Sequence, residues 1–142
     1  MKITQVFLHH TAVSYKQNPN QAKQTNEYHK KFAMQSSLGY WIGYTYEMNA
    51  KGEILQARKD GEEQAAQKGF NKDSISICLD MNGDTEYPTP EQIKSLKSFL
   101  KEKLTEYQLT WSEVLFHGDV AHKSCPGHLI TRNWLVTELL KV

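Results

Sequence analysis

The pattern of apolar and polar positions divides the chain into short β-type runs and longer amphipathic stretches. Apolar runs rich in β-forming residues predict five strands, at residues 4–9, 44–49, 53–57, 74–79 and 113–116. Apolar positions three and four residues apart predict three helices, at residues 21–32, 89–107 and 130–140. This alternation indicates an α/β fold, a single domain over residues 1–142 in which helices flank a central mixed β-sheet.

Local signals support individual elements of this pattern. The Ala50-Lys51-Gly52 turn is expected to join the second and third strands into a hairpin. Thr89, Pro90 and Gln92 suit the N-cap, the first helical position and the capping box of the long second helix. Residues 60–71 are rich in Gly, Gln, Glu and Ala, and they are predicted to form a surface loop.

Composition and charge limit the partners that the chain can have. With 142 residues, 39% of them hydrophobic and 23% charged, the chain resembles an ordinary soluble globular protein. Its net charge of +1 gives no global reason to expect nucleic acid or an anionic membrane as a partner. No apolar run approaches the length of a membrane span, and the N-terminal residues lack the hydrophobic core of a signal peptide. We expect a monomer that is cytoplasmic as synthesised.

Two distant zones of the chain carry residues that can bind a metal. His9 ends the first predicted strand and His117 directly follows the last one, so the sheet would hold both imidazoles. Cys125 lies eight residues after His117, in a loop whose course is fixed by Pro126 and Gly127. Two imidazoles and one thiolate, with a fourth position left to water, form a known catalytic zinc arrangement.

The residues alone leave other interpretations open. An isolated cysteine such as Cys125 is more often a small buried hydrophobe than a metal ligand. A disulfide between Cys125 and Cys78, the second cysteine of the chain, would remove the proposed ligand. His122 and His128 are alternative ligands, because spacing does not exclude them.

Five segments occur in an order that resembles a known family. They are His9-His10-Thr11-Ala12, Ile42-Gly43-Tyr44, Lys68-Gly69-Phe70-Asn71 with Ser74-Ile75-Ser76-Ile77, Pro88-Thr89-Pro90-Glu91-Gln92, and residues 117–127. In this order and over nearly the whole chain, the sequence resembles zinc-dependent N-acetylmuramoyl-L-alanine amidases of type 2. It looks like the branch that contains bacteriophage lysozyme-type amidases and the animal peptidoglycan recognition proteins.

The resemblance implies roles for five residues. It implies that His9, His117 and Cys125 bind Zn²⁺. It also implies that Tyr44 orients the attacking water or transfers a proton, and that Lys123 supplies positive charge opposite the oxyanion. In two places the chain departs from the family pattern: Ala66 stands where many relatives have a histidine, and His122 replaces the usual proline before the lysine.

A glycopeptide substrate also needs a groove. We expect Trp41, Tyr46 and Phe70 to form its walls and Asn71 to bind a substrate amide. The implied reaction is hydrolysis of the amide bond between N-acetylmuramic acid and L-alanine in peptidoglycan. We expect a phage or prophage endolysin that reaches the cell wall after the membrane is breached. The alternatives are a cytoplasmic amidase that recycles muropeptides and a peptidoglycan-binding domain without catalysis.

Overall fold

The computed structural model describes residues 2–140, which form a five-stranded sheet and three α-helices in the order predicted. The strands are β1 (Gln5–His10), β2 (Tyr46–Met48), β3 (Ile54–Gln56), β4 (Ser74–Leu79) and β5 (Val114–Phe116). The helices are α1 (Ala22–His29), α2 (Pro90–Glu106) and α3 (Arg132–Leu140). The predicted fold class is confirmed, while the predicted domain bounds at residues 1 and 142 lie outside the described residues.

The sheet is mixed, with strand order β3-β2-β4-β1-β5. Strands β2, β4, β1 and β5 run parallel to one another, and β3 pairs antiparallel to β2 in the predicted hairpin. Every residue of β4 and all but the first of β1 are buried, as expected for central parallel strands that are covered on both faces. The carboxyl ends of β1 and β5 therefore meet at one edge of the sheet, where α/β proteins place their ligands.

The two faces of the sheet differ in polarity. One face presents Val6, Leu8, Ile75 and Ile77 to the apolar side of α2, and this packing forms the hydrophobic core. Because side chains alternate along a strand, the other face carries mostly buried polar groups. Its members in the central strands are Phe7, His9, Glu47, Ser74, Ser76 and Cys78. The buried groups that can bind a metal or transfer a proton therefore lie mainly on the face opposite α2.

The long helix α2 begins as the sequence predicts. Thr89 Oγ1 accepts a hydrogen bond from the Gln92 N–H, and the Gln92 side chain accepts one from the Thr89 N–H. This capping box satisfies two backbone donors that the first helical turn leaves without partners.

Helix α1 ends at His29, three residues before the predicted end, and Phe32 is 58% exposed instead of buried. The reason lies in a distant residue, Arg58, which is buried. Its guanidinium donates hydrogen bonds to the carbonyl oxygens of Met34, Ile42 and Glu63. These contacts hold the chain after α1 in an irregular loop, which local helical periodicity could not reveal.

Candidate active site

The sheet brings the two predicted histidine ligands side by side. Leu8 of β1 pairs with Phe116 of β5, and each of these two residues is followed directly by one of the histidines. The ring centroids of His9 and His117 lie 4.7 Å apart. Their proximity follows from parallel pairing of strands more than a hundred residues apart in the sequence.

Cys125 returns to these histidines through a closed loop. The Gly118 N–H donates a hydrogen bond to the Cys125 carbonyl oxygen at 2.9 Å, which joins the two ends of the loop. A Cβ at Gly118 would lie 2.5 Å from the Lys123 carbonyl oxygen, so this closure requires glycine. The Cys125 Sγ also accepts a hydrogen bond from the His10 N–H at 3.4 Å.

The loop is fixed against the segment that follows β4. His10 Nδ1 accepts a hydrogen bond from the Gly83 N–H at 2.9 Å, and Asp84 Oδ1 accepts one from the His128 N–H at 2.8 Å. Gly83 and Gly127 pack so closely that a Cβ at Gly127 would lie 2.1 Å from the Gly83 carbonyl carbon. The position of the cysteine therefore depends on backbone packing between two loops.

The potential ligand atoms of His9, His117 and Cys125 all lie within 4.8 Å of one another. His9 Nδ1 is 3.6 Å from Cys125 Sγ. Ligand atoms around one tetrahedral zinc ion lie roughly 3.3–3.8 Å apart, given its usual bond lengths to nitrogen and sulfur. The donor types and their spacing fit a zinc ion with three protein ligands and one open position.

The electrostatic environment favours neutral imidazoles in this cluster. Burial, together with the neighbouring His117, lowers the pKa of His9 to about 3. Burial and the positive charge of Lys123 also lower the pKa of His117. Burial raises the pKa of the Cys125 thiol to about 12, so a bound cation is what would favour the thiolate. The lowered histidine pKa values suit metal binding, which requires unprotonated imidazoles, whereas the raised thiol pKa opposes it until a cation stabilises the sulfur anion.

Tyr44 lies beside the metal-binding cluster, in the turn that precedes β2. The Gly43 N–H donates a hydrogen bond to His29 Nδ1 at 2.8 Å, which fixes the backbone next to the tyrosine. The Tyr44 ring lies 4.9 Å from the His9 ring and 5.2 Å from the His29 ring, measured between centroids. Burial, with the nearby thiol of Cys78, raises the pKa of Tyr44 well above 10. Its hydroxyl therefore keeps its proton at neutral pH.

Lys123 lies on the rim of the same site. Its side chain is exposed, and it borders an open cavity of about 400 Å³. The cavity is lined by His10, Ala12, Tyr44, His117, Lys123, Ser124 and Cys125. The structure thus brings both predicted catalytic residues to a cavity that two of the three predicted ligands, His117 and Cys125, also line.

The four predicted substrate-binding residues have different environments. Phe70 is 37% exposed and packs on Phe7 with a centroid distance of 5.8 Å. Trp41 is half-buried, with the Lys30 ammonium 5.9 Å from its ring centroid. Asn71 Oδ1 accepts hydrogen bonds from two backbone N–H groups, at residues 66 and 67, so this atom organises the loop.

The structure does not bring Tyr46 to the site, so its predicted place in the groove is wrong. Tyr46 is buried on the sheet face opposite His9, where its ring packs edge-on against Phe99 of α2. Its hydroxyl donates a hydrogen bond to Asp60 at 2.5 Å. The sequence suggested one continuous strand with Tyr44 and Tyr46 on the same face, but β2 begins only at Tyr46.

Sequence reasoning missed Gln67. Its side chain is fully buried, and Oε1 lies 2.8 Å from His9 Nε2. Residues 60–71 form an irregular loop, as predicted, but Gln64 and Gln67 within it are buried and not at the surface. The sequence of this loop carries no periodicity that marks a buried side chain. The one available signal is that Gln67 directly precedes the Lys68-Gly69-Phe70-Asn71 segment.

The structure also decides the alternatives that the sequence left open. Cys78 and Cys125 are both free thiols, which rules out the disulfide. His122 and His128 are exposed and do not belong to the metal-binding cluster. Within residues 2–140, no helix combines the length and the apolar character that crossing a bilayer would require.

Two imidazoles and a thiol at the edge of a parallel sheet, with a tyrosine and a lysine beside them, can support zinc-dependent hydrolysis, in which three protein ligands leave the fourth position to water. The profile of the N-acetylmuramoyl-L-alanine amidase family matches residues 1–128 of the chain. The chain belongs to this family, and the predictions of the family and of an amidase are confirmed.

Individual relatives agree with this assignment. The endolysin of Enterobacteria phage T3 is 31% identical over 141 residues, covering 95% of this chain and 87% of the relative. Peptidoglycan-recognition protein SC2 of Drosophila simulans is 28% identical over 131 residues, covering 88% and 68%. The structure of the N-acetylmuramoyl-L-alanine amidase LysC from Clostridium intestinale URNW has the same fold, with a TM-score of 0.80 at 24% identity, covering 98% and 86%.

Proposed function

We propose that the protein is a zinc-dependent endolysin that hydrolyses the amide bond between N-acetylmuramic acid and L-alanine in peptidoglycan. The observation that carries the proposal is the convergence of His9, His117 and Cys125 within 4.8 Å, beside a cavity that Tyr44 and Lys123 also line. The phage relatives, which are themselves named endolysins, support the biological setting.

The zinc ion would polarise the scissile carbonyl and lower the pKa of a water molecule. Tyr44 keeps its proton, so its role is to donate a hydrogen bond that orients the reacting groups. The Lys123 ammonium at the cavity rim stabilises the negative charge that develops on the amide oxygen. The Cys125 sulfur is held by the His10 N–H, which keeps this ligand in place through the reaction.

The substrate would extend from this cavity into an adjoining cleft. A cleft of about 710 Å³ runs between residues 11–21 and α1, and Tyr44 lines both spaces. This cleft would take the peptide stem, while Trp41, Phe70 and the Asn71 amide, which line neither space, remain proposed substrate contacts.

The first experiment measures release of stem peptides from purified sacculi by the wild-type protein and by Cys125→Ser. We expect the wild-type activity to disappear with a chelator and return with zinc. The Cys125→Ser variant should keep its circular dichroism spectrum and its cooperative unfolding but lose zinc and hydrolysis. Equal release by both proteins would contradict the proposal, and sacculus binding without release would favour a binding domain.

A second substrate separates the endolysin from an amidase that recycles muropeptides. The endolysin proposal predicts hydrolysis of intact sacculi at rates comparable with or above those of soluble anhydro-muropeptides. A clear preference for the soluble substrate, with little release from sacculi, would favour the recycling alternative.

A further inference from the structure

Gln67 makes a buried polar contact to the metal-binding cluster that the mechanism above does not use. Gln67 Oε1 lies 2.8 Å from His9 Nε2. At the other end of the same amide, Nε2 donates hydrogen bonds to the Phe70 carbonyl oxygen at 3.0 Å and to Ser74 Oγ at 3.3 Å. The side chain thus links the strand-end histidine to the loop that covers it.

These contacts fix the direction of each hydrogen bond. The Phe70 carbonyl oxygen can only accept, so the amide nitrogen of Gln67 must face it and the amide oxygen must face His9. An amide oxygen also only accepts, so His9 Nε2 must carry the proton. A neutral imidazole has a single N–H, which leaves a free lone pair on His9 Nδ1. That atom is the one 3.6 Å from Cys125 Sγ.

The loop holds Gln67 rigidly enough to impose this choice. The Gln67 N–H donates to Asn71 Oδ1 at 2.9 Å, and the Ser74 hydroxyl donates to the Phe70 carbonyl oxygen at 2.6 Å. The Gln67 side chain is completely buried, so water does not compete for His9 Nε2. Reversing the amide would set its oxygen against the Phe70 carbonyl oxygen, replacing a buried hydrogen bond with a contact between two acceptors.

We propose that Gln67 is a positioning residue that keeps His9 in the Nε2–H tautomer and thereby presents Nδ1 to the cation. Groups that hydrogen-bond the ring nitrogen not bound to the metal set the tautomer and ring orientation of metal-binding histidines. Loss of such a group commonly weakens metal affinity about 10- to 100-fold. The proposal depends on the proposed function only for the identity of the cation.

The experiment combines ¹⁵N NMR of the histidine side chains with zinc affinity from chelator competition, on the full chain with and without zinc. The test variant is Gln67→Met, which keeps the length of the side chain and removes the acceptor. Gln64→Met is the matched control, because Gln64 is also buried in this loop but bonds to Ser74 and Ser76 and not to His9. The rescue variant is Gln67→Glu, which keeps an acceptor.

We expect the Nε2–H form in the wild type, in Gln67→Glu and in Gln64→Met. Gln67→Met should show mixed tautomers and about 10- to 100-fold weaker zinc binding than Gln64→Met. If Gln67→Met does not fold, the shorter Gln67→Asn, which withdraws the acceptor from His9, replaces it with the same expectation.

An Nδ1–H tautomer in the wild type would overturn the inference. So would a Gln67→Met protein with the tautomer and zinc affinity of the Gln64→Met control, because the role of Gln67 would then be structural only. A wild-type protein that bound no zinc would instead refute the proposed function, and the tautomers of the metal-free proteins would still decide the role of Gln67.

Discussion

Each ionisable residue of the site takes its role from its surroundings. Burial beside two thiols holds the proton on Tyr44, whereas Lys123 stays in solvent at the rim of the cavity. The tyrosine is therefore suited to donate a hydrogen bond, and the lysine to supply charge without the cost of burying it. Neither role follows from residue type alone.

The Tyr44→Phe variant tests the donor role of the hydroxyl. It keeps the ring that packs against His9 and His29 and removes only the oxygen. We expect kcat for release of stem peptides to fall about 100-fold, because a positioned donor contributes this much to the transition state. Zinc affinity, measured by chelator competition in the same samples, should stay within about twofold. Unchanged kcat would show that the hydroxyl takes no part in the reaction.

At the scale of single elements, the loop of residues 117–127 depends on close backbone contacts. Gly127 has a φ of +121° and lies against Gly83 without room for a side chain. Both features restrict this position to glycine. The proposed ligand Cys125 lies two residues before this contact, so the geometry of the candidate metal site depends on it.

The Gly127→Ala variant should displace the loop and weaken zinc binding. Gly39→Ala is the control, because Gly39 also has a positive φ, +93°, but no heavy atom lies within 4 Å of its added Cβ. We expect Gly39→Ala to lower the free energy of unfolding by about 1–2 kcal/mol through backbone strain alone. Gly127→Ala should cost about 1–3 kcal/mol more through the clash. Urea unfolding and chelator competition measure the two effects, and equal zinc affinity in both variants would contradict the expectation.

At the scale of the whole molecule, a buried carboxyl pair joins α1 to the sheet. Glu47 Oε2 accepts a hydrogen bond from the Thr25 hydroxyl at 3.0 Å, and Asp80 Oδ2 accepts one from the Gln21 N–H at 2.7 Å. Among the described residues, no group outside the pair donates a hydrogen bond to the remaining oxygen of either carboxyl group. Burial first, and then the neighbouring Asp80, raise the pKa of Glu47 well above its ordinary value of 4.5. The folded pair therefore retains a proton that the unfolded chain releases.

This retained proton makes the stability of the protein depend on pH. Because the pKa of Glu47 is higher in the folded state, the stabilising contribution is complete below about pH 4.5 and is lost as the pH rises toward the folded pKa. We expect the pair to lower the free energy of unfolding by up to about 1.4 kcal/mol per pH unit within this window. The buried histidines, whose pKa values are lowered by folding, act in the opposite direction below about pH 6.5, so the effect of the pair is read as the difference between the wild type and a variant that lacks its proton. In Glu47→Gln, whose amide can donate to Asp80 without a titratable proton, the fall should be smaller.

Urea unfolding between pH 5 and pH 8 measures this effect. The control is Glu27→Gln, which removes a carboxylate from the exposed side of α1 and should leave the wild-type slope unchanged. Parallel pH profiles for Glu47→Gln and the wild type would show that the pair shares no proton over this range.

The sequence by itself determined the elements and the identity of the reactive groups. Strand-forming runs, the capping box at Thr89 and the placement of His9 and His117 at strand ends are local features, because hydrophobic periodicity and turn chemistry act over a few residues. The family resemblance added Tyr44 and Lys123, and the tertiary structure placed both beside the cluster.

Only the tertiary structure decided which groups meet across the chain. Contacts between distant segments set the position of Gln67 behind His9, the burial of Tyr46 against α2, and the early end of α1, after which Arg58 holds the chain. Gly43 packs so closely against the loop of residues 60–71 that a Cβ would lie 2.4 Å from the Ala65 carbonyl oxygen. The chain is irregular at this contact, and β2 begins only at Tyr46, two residues after Tyr44. Such contacts depend on tertiary packing between distant segments, so no local pattern of residues encodes them.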